Sequence, residues 1–304
     1  MRILITTPTG HIGSRIVDRL LASGHALTVL ARDPQKLSDA VRSGVTVVHG
    51  ALEDGEALHA ALAGADSAFL LIPPPPPTIP DWRAWQEHLG RQFGAAALRA
   101  KVPRVVFLSS TGAQHGDLGA ISGGGVIERA LQSMLPNVAA IRAGYFMENY
   151  LNSLGTIAAQ GTIFGTVAPD VPMHVVATRD IGDLAVRWLA SDTWHGHHVV
   201  GSHGPVAISQ AQVAAILTEV FGRPVQYVQI PAPAFRDALL GAGAPPLVAN
   251  GYEVMMGGIA RHLEAGDYSD EPQGADGSAG ATSVQQFARE VLLPAFNAQA
   301  LAAA

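Results

Sequence analysis

Short apolar runs of strand length alternate along the chain with longer segments whose apolar residues recur at helical spacing. The apolar runs lie at residues 2–6, 27–31, 45–48, 68–72, 104–109 and 138–141, and the predicted helices between them include residues 55–63, 82–100 and 126–134. This alternation is typical of a doubly wound α/β fold, in which helices cover both faces of a parallel sheet. Ligands bind such sheets beyond the carboxyl ends of the strands, so we expect the loops after residues 72, 109 and 142 to form a cleft.

The first predicted strand runs into a glycine-containing turn and then into a helix, within the sequence RILITTPTGHIG. Ile12, Ile16 and Leu20 follow at helical spacing before a second apolar strand begins. A helix N-terminus offers unpaired N–H donors and a partial positive charge, so a pyrophosphate group binds there when the backbone can approach it. Gly10 and Gly13 permit that approach, and this βαβ unit therefore predicts a dinucleotide-binding domain of the Rossmann type.

Two cations follow the second predicted strand, at the place where NAD-binding domains carry an acidic residue. Arg32 ends the strand and Lys36 lies one turn further along the chain. A cation at this position suits the 2′-phosphate of NADP. The sequence therefore predicts NADP as the cofactor, with a pair of merely solvated charges as the alternative.

The regular alternation loosens beyond about residue 149, where glycine and proline become frequent. We therefore predict a cofactor-binding domain at residues 1–150 and a smaller C-terminal α/β substrate domain at residues 151–304, some segments of which return to the main sheet. Helices are predicted at 208–221 and 283–292, a strand at 225–230 and a mobile polar loop at 264–282. Five prolines at 73–77 and a flexible glycine triplet at 123–125, placed just before a helix, are interpreted either as connectors or as walls of the cleft.

Composition excludes several classes of protein. The chain has 304 residues, of which 48% are hydrophobic and 14% charged, so it can bury a large core. A net charge of −6 without a basic run argues against nucleic acid and anionic membranes as partners. No apolar stretch has the roughly 18 residues of a membrane span, no signal peptide is expected, and cysteine is absent, which together favour a cytoplasmic protein. The histidines at 195, 197 and 198 are expected to form a surface turn, and no metal is predicted.

Five further segments carry a resemblance over nearly the whole chain: ARDPQKL, RVVFLSSTGA, VIERAL, IRAGYFMENYL and VATRDIGDLA. With the first turn, they resemble the NmrA-like atypical short-chain dehydrogenase/reductase family, in particular its quinone oxidoreductase and triphenylmethane reductase branch. The resemblance implies that the pyrophosphate is lined by Thr6, Thr9, Gly10, His11, Ile12 and Gly13, the 2′-phosphate by Arg32 and Lys36, the ribose side by Ile72 and Pro73, and the nicotinamide by Gly144, Tyr145 and Phe146. It also implies that Asn149 faces the cleft.

The chain departs from this family pattern at two positions of the cofactor site. Thr7 stands where the family has its first glycine, and Pro8 after it lacks an N–H group. Ala51 stands where the family has an aspartate that would bind adenine. Both changes are expected to weaken cofactor binding.

No tyrosine of this chain has a lysine four residues after it, because the only lysines are Lys36 and Lys101. Ordinary short-chain dehydrogenases use such a pair, in which the ammonium group lowers the pKa of the phenol. The NmrA-like group commonly lacks the pair as well. Its absence favours an acceptor that is already electrophilic, such as a quinone, an iminium ion or a conjugated enone.

Three residues near the predicted cleft are candidates for catalysis, either by acid–base chemistry or by binding the substrate. Tyr145 follows a strand and is the first candidate for an orienting or proton-donating group, with an aromatic wall as the alternative. Ser110, with Ser109 before it, is a candidate to bind a substrate oxygen or the nicotinamide ribose, or simply to cap the strand. Glu128 is a candidate base, although a solvated helix face is the more ordinary interpretation.

The sequence thus predicts an NADPH-dependent oxidoreductase that transfers hydride to a small, conjugated, electron-poor molecule. Two alternatives are left open: an NADP-binding redox sensor without turnover, and a non-redox isomerase or cyclase on the same fold. A small molecule is the expected substrate, and whether the chain forms a homodimer is also left open.

Overall fold

A seven-stranded parallel sheet forms the centre of the molecule in the computed structural model, which describes residues 1–272 and 280–302. In chain order its strands are β1 (Arg2–Thr6), β2 (Ala26–Ala31), β3 (Thr46–His49), β4 (Ser67–Leu70), β5 (Val105–Ser110), β6 (Val138–Ala143) and, after three smaller strands, β10 (His197–Ser202). Their spatial order is β10-β6-β5-β4-β1-β2-β3, and every neighbouring pair is parallel. The predicted doubly wound α/β fold is confirmed.

Helices cover both faces of this sheet because successive residues of each strand point to opposite sides. The helices of the first part of the chain are α1 (His11–Ala22), α2 (Asp39–Gly44), α3 (Gly55–Leu62), α4 (Trp82–Arg99) and α5 (Ala120–Met134), and α7 (Thr178–Leu189) joins them later. Ile3 and Ile5 of β1 belong to a core with α1 and α7, whereas Leu4 belongs to a second core with α3, α4 and α5. Burial of both faces explains the continuous apolar runs in the sequence.

A smaller α/β region is built mainly from the later part of the chain. It contains the strands β7 (Tyr145–Phe146), β8 (Thr162–Gly165), β9 (Met173–Val176), β11 (Ala207–Ile208) and β12 (Gln226–Gln229), and the helices α6 (Leu154–Gln160), α8 (Gln210–Phe221), α9 (Ala232–Gly241), α10 (Pro246–Ala265), α11 (Val284–Phe287) and α12 (Leu293–Ala302). Its strands form two small sheets, β11-β9-β7 and β12-β8. Within the described residues, no helix is both long and apolar enough to cross a membrane.

Two segments differ from the sequence prediction. The glycines at 123–125 lie inside α5 and are not a flexible connector before it. A Cβ atom at Gly123 would lie 1.9 Å from Gln86 Oε1, and one at Gly125 would lie 2.0 Å from the carbonyl oxygen of Ala113. Glycine is therefore required at 125, where the neighbour is backbone, whereas a side chain at 123 would have to displace the end of the Gln86 side chain.

The second difference concerns residues 264–282, which were predicted to form a mobile loop. Glu264 belongs to α10, and Glu271 is buried against the ends of the sheet strands. Residues 273–279 lie outside the described part of the chain. The prediction is wrong for the segment before them, because Glu271 accepts hydrogen bonds that tie it to the ends of β5 and β10.

Candidate active site

A cleft with a volume of about 1120 Å³ lies at the carboxyl ends of β1, β2, β3, β4 and β6. Pockets for drug-sized ligands usually measure about 300–1,000 Å³, so this cleft is large enough for a dinucleotide. Its described lining comprises residues 6–13, 30–33, 36, 50–53, 71, 73–77, 85, 89, 146, 148, 149, 151, 152 and 178. It therefore brings together the predicted pyrophosphate residues Thr6 and 9–13, the cations Arg32 and Lys36, and the residues Pro73, Phe146 and Asn149.

The turn between β1 and α1 keeps its tight geometry although it lacks the family's first glycine. Thr7 adopts φ = +52°, a left-handed conformation that β-branched residues rarely adopt. Its carbonyl oxygen lies so close to Gly13 that a Cβ atom there would approach it to 2.1 Å. Gly13 is thus needed for the fold of the turn, and the buried Thr7 hydroxyl finds no hydrogen-bond partner among the described residues.

The first turn of α1 is open to an anion. Gly10 is the N-cap residue, no side chain accepts a hydrogen bond from the first turn, and that turn contains no acidic residue. Thr9, Gly10 and His11 are exposed where the helix faces the cleft. Unpaired N–H groups and the helix dipole therefore favour a phosphate group at this point.

The Thr6 hydroxyl is engaged within the protein, although Thr6 lines the cleft. Its buried hydroxyl donates a hydrogen bond to the Phe69 carbonyl at 3.1 Å and accepts one from Leu71 N–H at 3.0 Å. It joins the carboxyl ends of β1 and β4, and so fixes the floor of the cleft. This side-chain bridge between distant segments leaves no local signal in the sequence.

Arg32 and Lys36 project from the end of β2 and the following turn, and both are exposed. Neither side chain makes a hydrogen bond or an ion pair with any residue that the structure describes. Asp33 between them directs its carboxylate to the backbone N–H of Gln35. Two unengaged cations at this end of the cleft can bind an anionic group such as a phosphate.

The opposite side of the cleft is mostly apolar. All five prolines at 73–77 line it, together with Trp85 and Leu89 of α4. Ile72 lies outside the described lining and packs against the core instead. This wall lacks charged groups, which suits a planar apolar ligand.

The segment after β6 forms the far end of the cleft. Phe146 and Asn149 line it, whereas Gly144 and Tyr145 lie outside the described lining. Gly144 packs so closely on β9 that a Cβ atom would lie 2.6 Å from the His174 carbonyl oxygen. Burial raises the pKa of Tyr145 to about 12, although a hydrogen bond with Asn149 acts in the opposite direction. The phenol therefore holds its proton more tightly than an ordinary tyrosine does.

Ser109 and Glu128, two predicted functional residues, form a buried polar cluster behind the cleft. Glu128 accepts two hydrogen bonds from Arg142, at 3.0 and 2.8 Å, and a third from the Ser109 hydroxyl at 2.5 Å. The Ser110 hydroxyl donates to the Thr111 carbonyl. None of Ser109, Ser110 and Glu128 belongs to the described lining, and the Glu128 carboxylate is fully engaged as the counter-ion of Arg142. An arginine within the apolar run VAAIRA was the available sequence signal for this pair.

Glu148 is a cleft residue that the sequence analysis missed. Its carboxylate accepts a hydrogen bond from the Thr178 hydroxyl at 2.6 Å and from the Thr178 N–H at 3.0 Å. This contact caps the N-terminus of α7 and fixes the segment that carries Phe146 and Asn149. The acidic residue precedes the helix by 30 positions, so local capping rules do not reveal it.

A second cluster, outside the cleft, brings ligand atoms of His115, His262 and Asp267 within 4.8 Å of one another. The two imidazole rings are stacked, with centroids 3.8 Å apart and an angle of 22° between their planes. A metal bound by both rings would have to lie in both ring planes, which stacked rings do not allow. Both nitrogens of His262 also face carboxylate oxygens, of Asp267 at 2.8 Å and of Asp117 at 2.9 Å. This geometry suits a doubly protonated imidazole.

The sequence profile of the NmrA-like family matches residues 1–271 of the chain. The chain is 32% identical over 248 residues to the (4-alkanoyl-5-oxo-2,5-dihydrofuran-3-yl)methyl phosphate reductase of Streptomyces griseus, which covers 81% of this chain and 83% of that protein. It is 30% identical over 250 residues to the NAD(P)H azoreductase of Xenophilus azovorans, over 82% of this chain and 84% of that protein. The structure of the NADPH-dependent quinone oxidoreductase QOR2 of Escherichia coli, complexed with NADPH, superimposes with a TM-score of 0.81 at 23% identity, over 95% of this chain and 99% of that chain.

Proposed function

The chain belongs to the NmrA-like family, and from this membership and the geometry of the cleft we propose that it is an NADPH-dependent oxidoreductase. The family resemblance predicted from the sequence is thereby confirmed. The enzyme would reduce a small, conjugated, electron-poor molecule such as a quinone, an iminium ion or an enone. The relatives named above, a (4-alkanoyl-5-oxo-2,5-dihydrofuran-3-yl)methyl phosphate reductase and an azoreductase, support reductase chemistry in general.

One observation carries the proposal: two unengaged cations, Arg32 and Lys36, share a cleft with the open N-terminus of α1. The helix N-terminus suits a pyrophosphate, and the two cations suit a further phosphate on the adenosine side. NADPH carries both groups, a pyrophosphate and a 2′-phosphate on the adenosine ribose. The volume of the cleft fits such a ligand.

Bound NADPH would supply a hydride from its nicotinamide ring. Phe146 would contact one side of the nicotinamide ring and the acceptor. The wall of prolines at 73–77, with Trp85, would cover their other side and exclude water. Asn149 would orient the acceptor by hydrogen bonding. Tyr145 is a poor acid, because its pKa is raised to about 12 by burial, so the acceptor must be reactive enough to take hydride without prior protonation.

Titration calorimetry with NADPH and with NADH tests the cofactor. We expect NADPH to bind more tightly, and Arg32→Ala to weaken NADPH by about tenfold while changing NADH little, since one charge-assisted contact to the 2′-phosphate is lost. Arg129→Ala is the matched control, because Arg129 is an exposed arginine of α5 outside the described lining of the cleft. Equal losses for the two cofactors would contradict the assignment.

Turnover separates the proposed enzyme from its alternatives. NADPH oxidation in the presence of quinones, imines or enones would support the oxidoreductase. Binding of NADPH without oxidation of any acceptor would favour the redox sensor. Conversion of a substrate in buffer free of nicotinamide would favour an isomerase or cyclase.

A further inference from the structure

The hairpin of α9 and α10 is held to the rest of the molecule by few buried side chains. No residue of α9 is buried, and α10 buries only Ala249, Gly258 and Ile259. Burial of apolar area is the main source of local stability, so this hairpin is expected to open more easily than the sheet and its helices. The apolar attachment is confined to α10, where Ile259, with Met255 and Leu263 beside it, packs against Leu118 and Val167. Polar contacts add to this attachment at the C-terminal end of the helix.

The hairpin lies beside the far end of the cleft. Gly251 packs on Trp82 so closely that a Cβ atom would lie 2.5 Å from the indole ring, one turn before the cleft residue Trp85. Tyr252 is near enough to Tyr145 to contribute to its raised pKa. An opening of the hairpin would therefore change the surroundings of the end of the cleft that holds Phe146 and Asn149.

One cluster fastens the C-terminal end of α10. The His262 nitrogens contact Asp267, which follows the helix, and Asp117, which lies in the loop between β5 and α5. Arg261 donates a second hydrogen bond to Asp117 at 2.7 Å, and His115 of the same loop stacks on His262. His115 itself contacts the Asp267 carbonyl through Nε2 at 2.9 Å. Among the residues that the structure describes, Asp117, Asp267, Arg261 and His115 are the charged and titratable groups that face His262.

The protonation state of His262 determines how many hydrogen bonds this cluster makes. An ionised carboxylate only accepts hydrogen bonds, so both ring nitrogens must carry a proton to satisfy Asp117 and Asp267 together. A neutral imidazole has a single N–H, and its other nitrogen would direct a lone pair at a carboxylate. Loss of one proton therefore removes a hydrogen bond and two charge–charge attractions at once.

We propose that His262 is a proton-operated latch that closes the α9–α10 hairpin over the acceptor end of the cleft. The designation of that end as the acceptor end rests on the proposed function. With His262 protonated, the hairpin is fastened to the β5–α5 loop, and with His262 neutral the hairpin opens more readily. Acceptor binding would thereby depend on pH through a group outside the cleft.

The direction of the effect follows from the contacts. The hydrogen bond to Asp117, and to a smaller extent that to Asp267, raises the pKa of His262 above its ordinary value of 6.5. The hydrogen bonds from His262 and Arg261 lower the pKa of Asp117 to about 2. The latch is therefore closed at pH 6, with Asp117 ionised, and opens as the pH rises above 6.5 through the raised pKa of His262.

Hydrogen exchange measured by mass spectrometry from pH 6 to pH 9 tests the latch in the intact chain without ligands. After correction for the intrinsic pH dependence of exchange, we expect peptides within residues 232–265 to lose protection by about fivefold, the size of one or two partly exposed ion pairs. His262→Gln should show the lower protection already at pH 6 and no further change. His88→Gln, at an exposed histidine of α4, is the matched control and should behave as the unmodified protein.

A second measurement separates the proposed latch from a general effect of His262→Gln on folding. NMR titration of the histidine side chains should give His262 a pKa above its ordinary value of 6.5. A His262 pKa at or below 6.5, or hairpin protection that changes neither with pH nor in His262→Gln, would overturn the proposal. The KM for the acceptor should rise with pH in the unmodified protein but not in His262→Gln. If exchange behaves as expected and no acceptor is reduced, the latch stands and the proposed function fails.

Discussion

Single residues at the cleft carry either backbone strain or buried charge. Thr7 holds a left-handed conformation in the β1–α1 turn, and its hydroxyl is buried without a partner in the described part of the chain. Glu128 and Arg142 face each other below the ends of β5 and β6, away from solvent. Both features lie within or directly behind the proposed cofactor site, so substitutions there separate structural from catalytic roles.

Thr7→Gly is expected to raise the free energy of unfolding by about 1 kcal/mol, because glycine adopts a positive φ without the steric cost that a β-branched residue bears. The same change should tighten NADPH binding, since a glycine turn is the family pattern. Urea denaturation and calorimetry measure the two effects. Unchanged stability together with weaker binding would mean that the threonine turn has its own working geometry.

Glu128→Gln is expected to lower the free energy of unfolding by about 3 kcal/mol or more, because it leaves the buried Arg142 guanidinium without its counter-charge. Glu219→Gln, at an exposed glutamate of α8, is the control. Turnover per folded molecule, measured well below the unfolding temperature, should stay within a fewfold of the unmodified protein. A loss of several orders of magnitude would instead support the catalytic base predicted from the sequence.

Helices and strands were largely predictable because each one repeats its pattern locally. The periodicity of α1 and the apolar runs of β1 to β6 follow from burial on one helix face or on both sheet faces. The start of α5 was placed too late because glycine normally interrupts helices. In this helix Gly125 is required by its close contact with the Ala113 carbonyl, a contact between the helix and the preceding loop that gives no local signal.

Gly125→Ala is expected to destabilise the protein by about 1–3 kcal/mol, because the new methyl group would overlap the Ala113 carbonyl and α5 would have to shift. Gly116→Ala is a matched control, since a Cβ atom there has no neighbour within 4 Å. Thermal unfolding of both variants measures the difference. A Gly125→Ala protein as stable as Gly116→Ala would show that α5 can shift without a loss of stability.

Polar pairs between elements could not be derived from the sequence. Glu148 and Thr178 are separated by 30 positions in the sequence. Arg142 pairs with Glu128 because β6 and α5 become neighbours when the chain folds. The location of Arg32 and Lys36 in the cleft could be predicted, because the position after β2 has the same geometry in every dinucleotide-binding unit. The predicted domain division at residue 150 stays a prediction.

At the scale of the whole molecule, stability should depend on pH through a buried cluster at the junction of the two regions. His174 of β9 stacks on His203, which contacts Glu271. Burial, and to a smaller extent His203, lowers the pKa of His174 from 6.5. Burial opposes ionisation of Glu271, but hydrogen bonds from His203 and Thr111 outweigh it and lower its pKa from 4.5.

Both shifts predict a loss of stability on the acid side. A histidine with a lowered pKa favours folding above its unfolded value, so the contribution of His174 declines as the pH falls below 6.5. The contribution of Glu271 is present above pH 4.5 and is lost as the pH falls through its lowered pKa. Urea midpoints at several pH values between 7 and 3.5 measure the decline. His174→Gln should make the urea midpoint depend less on pH between pH 7 and 5.5, whereas His88→Gln should leave this dependence unchanged.

The sheet also constrains the order in which the chain can fold as it is synthesised. β10 pairs with β6, and α7 packs on α1, although both are encoded after the cleft segment at residues 146–152. A nascent chain that has emerged only to residue 150 has β6 as an open edge and lacks the α7 side of the core. The β1–α1 turn is therefore synthesised early, but its supporting core is complete only after β10 has emerged.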